Sequence, residues 1–80
     1  MQTRFEILQR NKETIMTQEW QQRVLDEKAA LDEKIAKLEV AITRPAFLQL
    51  EPDYQEDLRT QLVYMRGYSR VLGYRIARFR

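Results

Sequence analysis

Apolar residues recur in the first half of the chain at alternating steps of three and four, the spacing that aligns side chains on one face of an α-helix. The members of this series are Val24, Leu31, Ile35, Leu38 and Ile42, with Lys28 in the one position that is not apolar. Thr17 suits the N-cap of such a helix, and Pro45 cannot continue its hydrogen bonds. The pattern predicts a helix over residues 18–43.

The second half of the chain shows two stripes on one predicted helix. The first contains Leu58, Leu62, Met65, Ser69, Leu72, Ile76 and Phe79. The second, on an adjacent face, contains Tyr54, Gln61, Tyr64, Tyr68, Val71 and Arg75. Pro52 suits the first helical position, so the helix is predicted over residues 52–78. We expect the first stripe to pack on the preceding helix and the second on another copy of the chain.

The remaining segments complete an all-α fold. Residues 3–10 are predicted as a short N-terminal helix, followed by a connector over 11–16. Residues 46–50 join the two long helices, and the apolar Phe47, Leu48 and Leu50 are expected to cover one end of the core. The whole chain, 1–80, is then a single domain built as an antiparallel two-helix hairpin. Because a hairpin of this size buries little apolar surface, we expect a homo-oligomeric helical bundle.

The composition excludes several classes of function. The chain has neither Cys nor His, which rules out a disulfide scaffold, a thiol nucleophile, a zinc finger and His-based acid–base catalysis. Its carboxylates are scattered over helix faces, and it has no glycine-rich phosphate loop. We therefore expect no enzyme activity, no metal and no cofactor. The absence of a signal peptide and of a long apolar run favours a cytoplasmic protein without membrane contact.

Charge is distributed unevenly along the chain. Residues 1–57 contain twelve acidic and eight basic residues, whereas residues 58–80 contain six Arg and no acidic residue. A segment this basic calls for an anionic partner, either the acidic face of another chain or a phosphate. The net charge of only +2 makes a nucleic-acid polymer the weaker candidate.

Arg and aromatic residues alternate in the second helix, a combination typical of nucleotide sites because Arg binds phosphate and aromatic rings stack on bases. The candidate ligand contacts are Lys28, Arg66, Tyr68, Arg70, Arg75, Trp20, Arg23 and Phe5. Each has a structural alternative. Lys28 could extend its ammonium from the core edge to water, Trp20 could make a core or oligomer contact, and the Arg residues could pair with a neighbour's acidic first helix. Gly67 and Gly73 weaken the helix, which suggests that something approaches it closely there.

The order of these motifs resembles small helical-hairpin proteins of tailed bacteriophages, including the crAss-like phages. The residues that carry the resemblance lie between 20 and 76: Trp20-Gln21-Gln22-Arg23-Val24, Glu27-Lys28, Leu31 to Ile35, Leu38, Phe47-Leu48, Gln61-Leu62, Met65, Tyr68, Leu72 and Arg75-Ile76. The layout is similar to that of the sponges that phages use against CBASS and Thoeris immunity. This resemblance implies symmetric oligomers that sequester cyclic nucleotides between subunits, with Phe5 and Lys28 in ligand-binding roles.

The resulting hypothesis is a non-enzymatic homo-oligomer that binds a cyclic oligonucleotide or related phosphate-bearing signal in the infected cell. Two alternatives stay open. The second stripe could serve only oligomerisation or the docking of a host protein, or the basic tail could bind nucleic acid.

Overall fold

A computed structural model of the chain describes the backbone of residues 4–79 and the side chains of residues 19–79. The chain forms helix α1 (Arg4–Ala41), a short 3-10 helix (Pro45–Gln49) and helix α2 (Pro52–Ala77), and no strand occurs within the described backbone. The long helices pack against each other as an antiparallel hairpin. The predicted all-α hairpin is confirmed.

The first helix starts earlier than predicted. Its backbone is helical from Arg4 to Ala41, so the separate helix over 3–10, the connector over 11–16 and the start near Thr17 were wrong. The reason is that residues 4–41 contain neither Gly nor Pro. Polar residues such as Asn11 and Thr14 each cost less than about 0.7 kcal/mol of helix stability relative to Ala, which does not break a long helix.

The end of α1 and both ends of α2 lie close to the predicted positions. After Ala41 the chain continues through a tight turn, with hydrogen bonds from the Thr43 N–H to the Val40 carbonyl and from the Arg44 N–H to the Ala41 carbonyl. Arg44 then takes an extended conformation, as a residue before Pro must, and the helix cannot resume. Pro52 is the first residue of α2.

The connection covers the core with one side chain rather than three. Phe47 is only 4% exposed, whereas Leu48 is 71% exposed and Leu50 is partly exposed. A 3-10 helix has about three residues per turn, so residues 47 and 50 share a side and residue 48 points elsewhere. The prediction that Leu48 covers the core was therefore wrong. The Gln55 side chain secures this connection by donating hydrogen bonds to the Leu50 and Leu48 carbonyls, at 2.8 and 3.3 Å.

The two predicted seams meet in the core of the hairpin. Every member of the first-helix series and of the first α2 stripe is buried or partly buried. The most buried apolar side chains are Val24, Ile35, Leu62 and Leu72, together with Phe47. This core is one side chain deep on each helix, so both flanks of the hairpin lie directly beside it.

Within the described residues, neither helix carries an apolar stretch long enough to cross a bilayer.

Candidate functional site

The structure divides the predicted ligand contacts between two opposite flanks of the hairpin. A helix turns about 100° per residue, so side chains that are neighbours in sequence point in different directions. We call one side the polar flank; it carries Lys28, Asp32, Glu39, Arg66, Ser69 and Arg70. We call the other the aromatic flank; it carries Trp20, Arg23, Tyr64, Tyr68, Val71 and Arg75. The predicted residues therefore do not form one site on a single hairpin.

Lys28 is the centre of a hydrogen-bonded cluster on the polar flank. Its Nζ donates to Asp32 Oδ2 at 2.7 Å and to Ser69 Oγ at 3.0 Å, and Ser69 Oγ donates to Asp32 Oδ1 at 2.5 Å. Ser69 is only 8% exposed, so its hydroxyl is satisfied inside the helix interface. The Lys28 ammonium thus lies at the edge of the core and pairs with the Asp32 carboxylate. This is close to the structural alternative predicted for Lys28, in which the ammonium extends from the core edge to water.

Asp32 keeps this cluster neutral overall. Hydrogen bonds from Lys28 and from Ser69 lower the pKa of the Asp32 carboxyl below its usual 3.8, and the charge of Lys28 acts in the same direction, while partial desolvation opposes them. Asp32 is therefore ionised at neutral pH and compensates the charge of Lys28. A phosphate approaching Lys28 would meet this carboxylate as well.

Arg66 is also engaged on the polar flank. Its Nη2 lies 2.9 Å from Glu39 Oε2 on α1 of the same chain, and both side chains are about half exposed. From the sequence, Arg66 could pair with the acidic first helix of a neighbouring chain. In the structure it pairs with Glu39 of its own hairpin. Arg70 follows one turn later on the same side of α2 and is exposed.

The aromatic flank exposes large rings. Trp20 packs at a tilted angle on Phe79, with ring centroids 5.3 Å apart, yet remains 51% exposed. Tyr64 is 73% exposed, and Tyr68 and Val71 are each about half exposed. One part of the Trp20 ring therefore closes the core, as the structural alternative predicted, and the rest of the ring is exposed to solvent.

Cations without a carboxylate partner lie beside these rings. Arg23 and Arg75 are exposed, and among residues 19–79 neither takes part in an ion pair. The Trp20–Phe79 contact and the Lys28–Ser69 hydrogen bond place the 20–28 segment of α1 beside the end of α2. Arg23 and Arg75 therefore lie near the same end of the hairpin, which we call the open end, opposite the 3-10 connection.

Sequence analysis found some of these contacts and missed others. The spacing placed Lys28 and Ser69 on the two facing seams, but their hydrogen bond was not predicted. The signal for this bond was that each residue is the polar member of an otherwise apolar seam. Sequence analysis also missed the Arg59 guanidinium, which lies 4.9 Å from the centre of the Phe47 ring. The side chain of Phe5 lies outside the described residues.

Two open hollows among the described residues are lined by none of the predicted contacts. An open hollow of about 540 Å³ on the outer side of α1 is lined by Glu33, Ala36, Lys37, Val40, Ala41 and Arg44. Within the described residues, acidic side chains do not gather into a group that could hold a metal ion. On the aromatic flank, cations that make no ion pair with residues 19–79 and exposed rings occur together.

Comparison with known proteins gives one match. A family model described as Sequestin matches residues 18–78, which include all of α2 and the part of α1 that packs on it. No curated protein matches the chain, and neither does any solved structure.

Proposed function

Because this chain belongs to the Sequestin family, whose name denotes sequestration, we propose that it binds a phosphate-bearing nucleotide signal and withholds it from the protein that responds to it. The observation that carries this proposal is the open end of the aromatic flank. There Arg23 and Arg75 make no ion pair with residues 19–79, and Trp20 and Tyr68 expose their rings on the same flank.

This arrangement supplies the two kinds of contact that a nucleotide needs. A guanidinium binds a phosphate with two parallel N–H groups, and an aromatic ring stacks on a base. We assign the phosphates to Arg23 and Arg75 and the bases to Trp20 and Tyr68. Lys28 and Arg66 are weaker candidates because Asp32 and Glu39 already pair with them.

The ligand is expected to lie between chains. The exposed side chains of one helix flank cover only one side of a small ligand, whereas small ligands are retained in concave sites that cover most of their surface. A second hairpin against this flank would supply the missing wall. Binding without turnover is sufficient for such a function, so the ligand should be recovered unaltered.

The resemblance to phage proteins suggests the biological setting. A cyclic oligonucleotide made by a bacterial immune system is the signal we consider first, because it carries several phosphates and bases that can all be engaged at once. A phage protein that binds it would leave the host effector inactive.

The direct test is titration calorimetry with a panel of cyclic di- and trinucleotides, followed by denaturation and analysis of the released ligand. We expect one of them to bind and to be recovered intact. Arg23→Ala and Arg75→Ala should each weaken binding by about tenfold or more, as loss of a charge-assisted contact does. Arg44→Ala is the matched control, since Arg44 is exposed at the opposite end of the hairpin.

Aromatic variants complete the test. Tyr68→Ala should weaken binding, whereas Tyr74→Ala should not, because Tyr74 is also exposed but lies on the outer side of α2. If the protein binds none of the panel, the proposal fails. The exposed flank would then be better explained as a docking surface for a host protein.

A further inference from the structure

Helix α2 carries an exposed stripe that packs on no other helix among the described residues. Its members occur at alternating steps of three and four: Tyr54, Asp57, Gln61, Tyr64, Tyr68, Val71, Arg75 and Arg78. All of them are exposed in the single chain. This spacing is the one that lets a helix pack along its length on another helix, so the stripe has the geometry of a second helix interface.

The chemistry of the stripe is complementary to itself. Its first half carries the acidic Asp57, its second half carries the basic Arg75 and Arg78, and Tyr64 and Tyr68 lie in the middle. When a second α2 is placed antiparallel with its midpoint at residue 66, opposite charges meet at both ends. The facing pairs are then Tyr54 with Arg78, Asp57 with Arg75, Gln61 with Val71, and Tyr64 with Tyr68.

Other registers lose this match. If the midpoint moves to between residues 68 and 71, the position facing Asp57 falls beyond the end of α2. If it moves to between residues 61 and 64, the position facing Arg75 falls before the start of α2. The register centred on residue 66 is the one that pairs Asp57 with Arg75 and buries both tyrosines.

We propose that two copies of the chain pair through this stripe, with antiparallel α2 helices related by a twofold axis beside residue 66. The interface is isologous, so each contact occurs twice. Residues 54–78 overlap over about 36 Å of helix, at about 1.5 Å per residue. Pairing removes Tyr64, Tyr68 and Val71 from water, which stabilises the dimer, while the terminal charge pairs select its register.

This pairing goes beyond the proposed function and does not depend on it. It does explain how a ligand site between chains could arise, because it brings the open end of one hairpin to the connection of the other. In the dimer Arg75 keeps N–H groups for a phosphate, since a guanidinium has five donors and the partner's Asp57 needs only some of them. Tyr68 then packs on the partner's Tyr64 and supports the ligand site through pairing, while Trp20 lies outside the stripe and can stack on a base.

Charge reversal with cross-rescue tests the register. Asp57→Arg creates two Arg–Arg contacts in the homodimer, and Arg75→Asp creates two Asp–Asp contacts. We expect each variant alone to raise the dimer dissociation constant by at least about tenfold. An equimolar mixture of the two variants places opposite charges at both contacts, so it should form heterodimers with nearly the wild-type dissociation constant. Sedimentation equilibrium without nucleotide measures all of these constants.

The controls carry the same charge changes outside the stripe. Glu56→Arg and Arg70→Asp alter exposed residues on other sides of α2, and both should stay within about threefold of wild type. Circular dichroism checks that each variant keeps its helix content.

Three outcomes would overturn the proposal: a wild-type protein that is monomeric up to millimolar concentration, a dimer indifferent to both reversals, or a mixture that fails to restore pairing. Nucleotide titration of the same samples reports separately on the proposed function, because a dimer that binds no nucleotide contradicts only that function.

Discussion

Ser69 occupies a seam position that its neighbours fill with apolar side chains. A buried hydroxyl costs free energy unless it is hydrogen-bonded, and here it donates to Asp32 and accepts from Lys28. The cluster links the two helices at one level. In another register of the hairpin, Lys28 and Ser69 would face apolar neighbours, so the cluster favours the observed alignment of α1 with α2.

The first residue-scale prediction concerns the Ser69 hydroxyl. Ser69→Ala leaves Asp32 and Lys28 without one partner each, so we expect it to lower the free energy of unfolding by about 1 kcal/mol. Thr60→Ala is the control, because Thr60 is exposed on the same helix and also gains helix propensity as Ala. Urea unfolding of both variants measures the difference. A Ser69→Ala protein as stable as the Thr60→Ala protein would show that the hydroxyl contributes nothing to the hairpin.

The second prediction follows from the lowered pKa of Asp32. Since this pKa is lower in the folded chain than in the unfolded chain, the ionised Asp32 contributes stability above its ordinary value of 3.8. That contribution is lost as the pH falls through the folded-state pKa. We therefore expect the stability difference between wild type and Asp32→Asn to be largest near pH 7 and to shrink below pH 3.8.

Unfolding measured at several pH values tests this dependence, and Asp26→Asn serves as a control on the exposed side of α1. A difference between wild type and Asp32→Asn that does not change with pH would contradict the role assigned to the carboxylate. Its interaction with Lys28 is partly exposed, so added salt should also reduce the difference.

At the scale of the helices, periodicity predicted the packed faces because burial follows the helical repeat directly. It did not predict the start of α1, since weak helix formers such as Asn11 cost too little to end a long helix that contains neither Gly nor Pro. The site was harder to predict. Arg66, Tyr68, Arg70 and Arg75 were grouped because they are close in sequence, yet the helical turn separates Arg66 and Arg70 from Tyr68 and Arg75.

The ion pairs between the two helices could not be predicted from the sequence either. Glu39 lies 27 positions before Arg66, and only the relative alignment of the two helices shows that they meet. Several acidic residues of α1 recur at similar spacing and carry the same charge. Identifying which of them pairs with Arg66 therefore requires the packed structure. Among the predicted contacts, Arg23, Arg70 and Arg75 make no ion pair with residues 19–79, and this was identifiable only once the pairs were known.

The glycines of α2 give the helix-scale prediction. A Cβ at Gly67 would meet no atom within 4 Å among the described residues, whereas one at Gly73 would lie 3.5 Å from Lys28 Cε. Gly67→Ala should therefore raise the free energy of unfolding by the full helix-propensity gain, about 1 kcal/mol. Gly73→Ala should gain at least as much, because at 3.5 Å the new methyl group makes an ordinary van der Waals contact with Lys28 Cε.

Thermal unfolding of the two variants compares them directly. A Gly67→Ala protein that is less stable than wild type would show that another chain approaches the helix at this position, as the sequence first suggested. The single hairpin offers a close contact at Gly73 alone.

At the scale of the whole molecule, the hairpin leaves much of its apolar surface in water. The most buried apolar residues are Val24, Ile35, Phe47, Leu62 and Leu72, while Tyr64, Val63 and Val71 are more than half exposed. A core of this size supplies little stability after the entropy of ordering the chain is counted. Association with a second copy is the direct way to bury the exposed stripe of α2.

If association contributes to folding, stability must depend on protein concentration. For a dimer that unfolds to separate chains, a hundredfold increase in concentration adds about 2.7 kcal/mol of stability per dimer. For a chain of this length, that should raise the melting temperature by several degrees. Circular dichroism at helical wavelengths, with protein concentrations spanning this range, measures the shift. Asp57→Arg should weaken the dependence without abolishing helix formation, because it opposes pairing but leaves the α1–α2 seam intact. A melting temperature that is constant over the whole range would instead mean that one hairpin is the complete folding unit, and that its exposed rings serve a partner other than itself.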